Sequence, residues 1–420
     1  MKIYASKALF PVSSPPIEWG ALVVEGSRIV DLGKLEHLIP RYISATVVDL
    51  RKCVILPGLV NAHAHLEYTL WPVNLSERLS FVDWLIKIIS LRRDLSESDL
   101  IKSIKAGIQM LISSGTTCVG AIVPTLKWLS IFQRSGIRAT LFQEVIGFRD
   151  TDSERITTWV RNEIKDNIFN ITPTTFIGIS PHSPYTVCHK LYKNLYDLAR
   201  SEGLPFCTHL SESREEVEFI SEGKGDIAER LFPLVGWGDI HIEPKGVKPA
   251  RYLSDIGVIG PDTIVVHAVN IENDELDIFR VRGTKVITCP RSNHYLGVGN
   301  APVVSFLQKG IVLSMGTDGL SSNTSLSLWD EMRFLKKIYK DKISPDDIFR
   351  TATLGGAKTL GWDRQIGTLE KGKEADFIAI DVSGIERYTE ISEIIDYTDE
   401  KRIKLVAVAG KILLDRREHS

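Results

Sequence analysis

Along the middle of the chain, short apolar runs alternate with longer stretches whose apolar residues recur at helical spacing. Eight such runs stand out: ILPGLVNAHAH, TTCVGAI, RATLFQEVIG, TFIGISPHS, LPFCTHLSE, TIVVHAVN, KVITCPRSN and IVLSMGTDG. Segments such as SESDLIKSIKAGIQMLISSG and HKLYKNLYDLARSEG separate them. Strand and helix in alternation predict parallel βαβ units, and eight units predict a closed (β/α)₈ TIM-type barrel in the α/β class. The two chain ends read differently. MKIYASKALF, WGALVVEGSRIVDLG and ATVVDLRKCVILP at the start, with GTLEKGKEADFIAID and KRIKLVAVAGKILL at the finish, are short strands around Gly, Asp and Pro. They predict a small β-sandwich domain formed by both chain ends, residues 1–56 plus 363–420. The barrel, residues 57–362, is then inserted between its halves.

Nearly every predicted barrel strand ends in a polar or ionisable group: His63 and His65, Glu144, His182, His209 and Glu212, His267, Arg291 and Asn293, Asp318. The carboxyl ends of barrel strands form the active-site face, so these groups fall where that architecture places chemistry. His63 and His65 stand two apart on a strand and share a face. Two imidazoles aimed into a barrel mouth make a seat for a divalent metal. His209 alone reads as a core or rim residue, and Asp318 alone as part of an Asp-Gly turn. In company with the pair they become the third and fourth ligands, because the eighth strand faces the first across a closed barrel. Three nitrogens and one oxygen suit zinc, with iron or manganese as alternatives.

Such a metal lowers the pKa of a bound water. The hydroxide then needs a proton shuttle and a seat for substrate. Glu212, three residues after His209, is the candidate acid, although it also opens the acidic helical run ESREEVEF. His267 is the candidate for orienting or deprotonating the water, against a buried structural role. Asp318 can also accept that proton. His182, Arg291, Asn293 and Trp84 are candidates for substrate contact. Arg291 reads equally well as a rim ion pair, and the segment SFVDWLIKIISLRRD around Trp84 as an amphipathic core helix. His294, beside Asn293, could reach the site. His37, His189, His241 and His419 have no assigned role.

Composition narrows the partners. A length of 420 residues fits one large barrel with a satellite. The formal net charge of -2, without a long basic run, argues against nucleic acid. Cys53, Cys118, Cys188, Cys207 and Cys289 are scattered and lack CxxC spacing, so neither a disulfide scaffold nor a zinc knuckle is expected and a reducing, cytoplasmic location is the default. The first residues lack the apolar core of a signal peptide, and no run reaches 18 apolar residues, so no membrane partner is expected. A homodimer would be an ordinary assembly.

The motifs PGLVNAHAHLE, SGTT, SPHSPYT, THLSES, VVHAVN, CPRSN and MGTDGLSSN, in this order, resemble the amidohydrolase superfamily. More narrowly they resemble its deaminase and chlorohydrolase branch, over essentially the whole chain. The resemblance implies a mononuclear metal site, since His182 stands where binuclear relatives place a lysine. HAHLEYT followed by FVDWLIKIISLR, together with FQEVIGF, THLSESREEVEFISEG and CPRSNHYLG, is most similar to aminodeoxyfutalosine deaminases of menaquinone biosynthesis. That likeness implies hydrolytic deamination of a 6-aminopurine nucleoside, with the nucleoside and water as partners. The alternatives are deaminases of S-adenosylhomocysteine, methylthioadenosine or guanine, and a triazine-type chlorohydrolase. An acidic ribose-binding residue is not evident in IISLRRD, where the adenosylhomocysteine enzymes show a Trp-Pro-x-x-Glu type pattern.

Overall fold

The computed structural model describes residues 1–73 and 79–417. His419 lies outside the described residues.

Five strands open the chain: β1 (Lys2–Leu9), β2 (Ile17–Glu18), β3 (Gly20–Glu25), β4 (Arg28–Lys34) and β5 (Thr46–Pro57). Eight barrel strands follow: β6 (Leu59–Ala64), β7 (Thr116–Val123), β8 (Arg138–Val145), β9 (Thr175–Pro181), β10 (Phe206–Leu210), β11 (Thr263–His267), β12 (Lys285–Thr288) and β13 (Leu313–Met315). β14 (Phe377–Asp381), β15 (Ile403–Val408) and β16 (Lys411–Asp415) end the chain.

All eight predicted barrel strands are present, each hydrogen-bonded in parallel to the next in chain order. The ring closes between its first and last strands through specific bonds. The His63 carbonyl accepts the backbone N–H groups of Thr317 and Asp318, both at 3.1 Å. The Asn61 amide donates to Thr317 Oγ1 at 2.7 Å and its oxygen accepts the Thr317 N–H at 3.2 Å. Gly316 permits this approach: a Cβ there would lie 2.8 Å from both the Cβ and the carbonyl oxygen of His63.

Side chains from alternate strand positions fill the barrel. Val60, Ala62, Cys118, Ile122, Phe142, Cys207, Ile264, Val266 and Ile287 form one cluster. Trp362 joins it and donates its indole N–H to Thr140 Oγ1 at 2.9 Å. The other strand faces, with Leu59, Val119, Leu141 and Ile177, pack on the surrounding helices in a larger core. This two-sided burial is why the strands read as near-continuous apolar runs.

The first five strands and the last three meet in a single mixed sheet, ordered β16-β15-β14-β5-β1-β3-β4 with β2 on β1. One face gathers Tyr4, Leu22, Ile55, Phe377 and Leu405 into a core of its own. Arg138, at the start of β8, reaches across to this sheet. Its guanidinium donates twice to the Asp376 carboxylate, both bonds at 2.9 Å, with both side chains about 1% exposed. No helix among the described residues is long and apolar enough to cross a membrane. The five cysteines are unpaired and buried.

Candidate active site

The carboxyl ends of the barrel strands surround a cavity of about 410 Å³. His65, His182, His209, Glu212, His267, Asp318 and Trp84 line it. His63 lies directly beneath, with no exposed surface.

The backbone at these strand ends is bent to aim the side chains. A pairing irregularity between Asn61 and Ala64 breaks the regular alternation of β6, so His63 and His65 join the inner side that Val60 and Ala62 already occupy. Ser211, His267 and Asp318 have positive φ values of 53°, 71° and 59°. Positive φ is uncommon for side chains with a Cβ, and three cases at strand ends around one cavity mark a constrained site.

His63, His65 and His209 converge. His209 Nε2 lies 3.3 Å from His63 Nε2 and 3.4 Å from His65 Nε2. The far side of two rings settles what these contacts are. His209 Nδ1–H donates to the His182 carbonyl at 2.8 Å, and His65 Nδ1–H to Glu67 Oε1 at 3.2 Å. With both rings neutral, as metal ligands must be, the two Nε2 atoms would turn their lone pairs toward one point, which a cation would satisfy. Ligands about 2.0–2.1 Å from a tetrahedral zinc sit about 3.3–3.4 Å apart, which matches the observed spacing. Asp318 Oδ1 lies beside the group, 3.5 Å from His63 Nε2 and 3.9 Å from His65 Nε2. Its other oxygen accepts the hydroxyls of Ser292 and Ser322 at 2.7 and 2.6 Å.

Electrostatics point the same way. Burial disfavours a charge on His65, yet the carboxylates of Glu67, Asp318 and Glu144 raise its pKa to about 10. Burial would push the Asp318 carboxyl up, but the His63 and His65 imidazoles outweigh it and hold it well below the usual range. The locale favours positive charge, as a cation site requires.

Beside this cluster stands a second pair. Glu212 Oε1 lies 3.5 Å from His267 Nε2. Burial, helped by the nearby Asp318 and Glu216 carboxylates, raises the Glu212 pKa well above the ordinary value, which favours its protonated form. His267 Nδ1–H donates to Asn293 Oδ1 at 2.8 Å, and burial lowers its pKa.

Two of the expected substrate contacts lie elsewhere. β12 ends at Thr288 and the helix Pro290–Tyr295 begins at once. That helix turns Arg291 away from the cavity, where it pairs with Asp330 at 3.5 Å and donates to Thr324. Asn293 is buried beneath His267 and does not line the cavity. His294 packs on Tyr295 and Phe334 instead of reaching the site.

The helix Phe81–Asp94 serves both readings of its segment. Ser80 caps it, accepting the Asp83 N–H, a contact typically stabilising by about 1 kcal/mol. Phe81 and Val82 face the core, while Trp84, Ile88 and Arg92, spaced four apart, run along the cavity with Leu85, Ile89 and Arg93 beside them. The Trp84 indole N–H donates to the Ser321 carbonyl at 2.8 Å, fixing the helix to the loop after β13. Leu231, Val235 and Trp237 supply the opposite wall. Sequence reasoning left residues 233–253 unplaced, because they carry no periodic pattern. His241 lines a separate cavity of about 380 Å³ with His189.

The fold and the site together define a barrel enzyme with a candidate metal centre. Residues 54–413 match the amidohydrolase family. A 5-methylthioadenosine/S-adenosylhomocysteine deaminase from Syntrophobacter fumaroxidans is 28% identical, covering 95% of this chain and 89% of that protein. An aminodeoxyfutalosine deaminase from Deinococcus radiodurans is 29% identical over 81% of each chain. A solved adenosine deaminase from Xanthomonas campestris with bound zinc has a TM-score of 0.84 at 24% identity, covering 99% of this chain and 93% of that one. That last likeness concerns the fold. The chain belongs to the amidohydrolase family.

Proposed function

We propose that the enzyme hydrolyses the 6-amino group of a purine nucleoside, with aminodeoxyfutalosine as its substrate, and so serves menaquinone biosynthesis. The observation that carries the chemistry is the Glu212–His267 pair, 3.5 Å apart, lining the same cavity as the histidine cluster.

His63, His65, His209 and Asp318 would hold one divalent metal, zinc by its fit to the donor set, with iron as the alternative. Such an ion supplies hydroxide from water at neutral pH. The chain's own residues manage the protons. His267 Nε2, its other nitrogen engaged by Asn293, takes the proton the water gives up, with Asp318 Oδ1 beside it. Glu212 gives its proton to N1 of the purine, making C6 electrophilic. Oxygen bonds to C6, the proton held by His267 passes to the amino group, the C6–N bond breaks to release ammonia, and the remaining proton of the oxygen returns to Glu212. The product is the 6-oxo purine.

The outer cavity supports the substrate. Its apolar wall of Trp84, Ile88, Ile89 and Trp237 ends in Arg92 and Arg93. An aromatic 5′ substituent with a terminal carboxylate, as in aminodeoxyfutalosine, suits that wall better than a small thioether does. Relatives named for methylthioadenosine and S-adenosylhomocysteine supply the second reading.

A spectrophotometric deamination screen on the zinc-loaded enzyme tests this, with aminodeoxyfutalosine, adenosine, S-adenosylhomocysteine, methylthioadenosine and guanine. A kcat/KM about a hundredfold higher for aminodeoxyfutalosine, worth about 2.7 kcal/mol in the transition state, is expected. Equal or better turnover of another nucleoside removes the pathway assignment. No reaction on the panel removes the purine reading.

A further inference from the structure

Four carboxyl groups line the main cavity: Glu67, Glu144, Glu212 and Asp318. Three are engaged. Glu67 accepts from His65, Glu212 faces His267, and Asp318 meets two serine hydroxyls and the histidines. Glu144, at the carboxyl end of β8, has no side-chain hydrogen bond or ion pair among the described residues. Burial raises its pKa to about 7, while the charges of His65 and Arg92 pull it down. A half-buried carboxylate that lines a cavity without a donor of its own can take one from a ligand.

The chemistry of a 6-aminopurine nucleoside limits what that donor can be. N1, N3 and N7 are acceptors, and N9 carries the sugar. The 6-amino group is the reacting group and belongs beside Glu212 and His267. The remaining donors are the sugar hydroxyls. Two vicinal hydroxyls can each donate to one oxygen of a carboxylate. We propose that Glu144 is the sugar-reading residue of this enzyme, its carboxylate accepting the 2′ and 3′ hydroxyls of the ribose. The inference rests on the nucleoside deaminase reading. It places the acid on β8, away from the segment after the first barrel strand where sequence reasoning looked for one.

The test compares adenosine, 2′-deoxyadenosine and 3′-deoxyadenosine as substrates of the zinc-loaded wild type and of Glu144→Gln. In the wild type, each missing hydroxyl should lower kcat/KM by about 10- to 100-fold, the range for hydrogen bonds to a charged group. In Glu144→Gln the ratio of adenosine to either deoxynucleoside should collapse to within about threefold, with most of the change in KM. A structural role would lower all three substrates alike and leave the ratio intact, which overturns the inference. So does a wild-type ratio near one, or free adenine or guanine outcompeting the nucleoside. If Glu144→Gln does not fold, Glu144→Asp is read in the same way. If no nucleoside is deaminated, the functional reading fails by itself. Titration of adenosine against 2′,3′-dideoxyadenosine, followed by the fluorescence of Trp84 and Trp237, then decides. Tighter binding of adenosine that Glu144→Gln abolishes sustains the sugar role, and equal binding ends it.

Discussion

Asn293 Oδ1 accepts the Nδ1–H of His267 at 2.8 Å, and this one bond decides which nitrogen of His267 faces Glu212. A residue expected to touch substrate thus acts through the ring above it. Replacing Asn293 with alanine frees the ring to turn and to change tautomer. Partners of this kind are typically worth about 10- to 100-fold. Asn293→Ala should therefore lower kcat in that range with KM little changed, and steady-state kinetics reads the split. An unchanged kcat, or a loss confined to KM, would remove the positioning role.

Glu212 is placed as the proton donor to the ring. Glu212→Gln keeps the shape and loses the acid. It should bind metal as the wild type does and lose about 10²- to 10⁴-fold in turnover. Metal content by elemental analysis and kcat from the deamination assay are read on the same preparation. Retained activity would strip Glu212 of its role.

A chelator should abolish activity and leave the fold in place. The barrel has a large apolar core that owes nothing to the cation, unlike small domains whose folding energy comes from their metal. Far-ultraviolet circular dichroism should be unchanged after dialysis against chelator, and zinc should restore turnover. Collapse of the spectrum on chelation would make the metal structural.

The Arg138–Asp376 pair is bidentate and buried. Arg138→Ala leaves the Asp376 carboxylate in the interior without its partner, a change that typically costs about 3–5 kcal/mol. Urea denaturation should show that loss while kcat of the folded fraction stays the same. A stability within about 0.5 kcal/mol of wild type would contradict the assignment.

The fold should also weaken as pH rises toward 8. Burial pushes the Glu216 and Glu331 carboxyls up to about 8, against the Ser211 and Glu212 backbone N–H groups that Glu216 accepts and the Arg291 backbone N–H and Asn323 amide that Glu331 accepts. In the unfolded chain a glutamate titrates near about 4.3. Between these values the folded state binds more protons, so the stability present below about pH 4 diminishes as pH climbs through the folded pKa. Denaturation midpoints between about pH 5.5 and 8.5 should fall, and a flat or rising series would refute the burial argument.

The barrel was legible in the sequence because its strands are short apolar runs that each end in a polar group. That same coincidence exposed His63, His65, His209, Glu212, His267 and Asp318, which the fold gathers around one cavity. Of the two readings of Arg291 the rim ion pair is the one found, since its motif sits past the strand, where Pro290 starts a helix. Glu144 was visible as a strand-end group, but its lack of a partner is a property of three dimensions. Trp237 and Val235 were beyond reach because their segment has no period. The break in alternation between Asn61 and Ala64 leaves no trace in composition.

The seam between β6 and β13 has a further meaning. His63 offers its ring to the imidazole cluster and its carbonyl to Thr317 and Asp318, while Asp318 gives its amide to that carbonyl and its carboxylate to the cluster. Joining the first strand to the last therefore assembles the donor set in the same act. A chain whose ring is still open has not yet brought His63 and Asp318 together, so closure of the barrel and assembly of the cluster are one event.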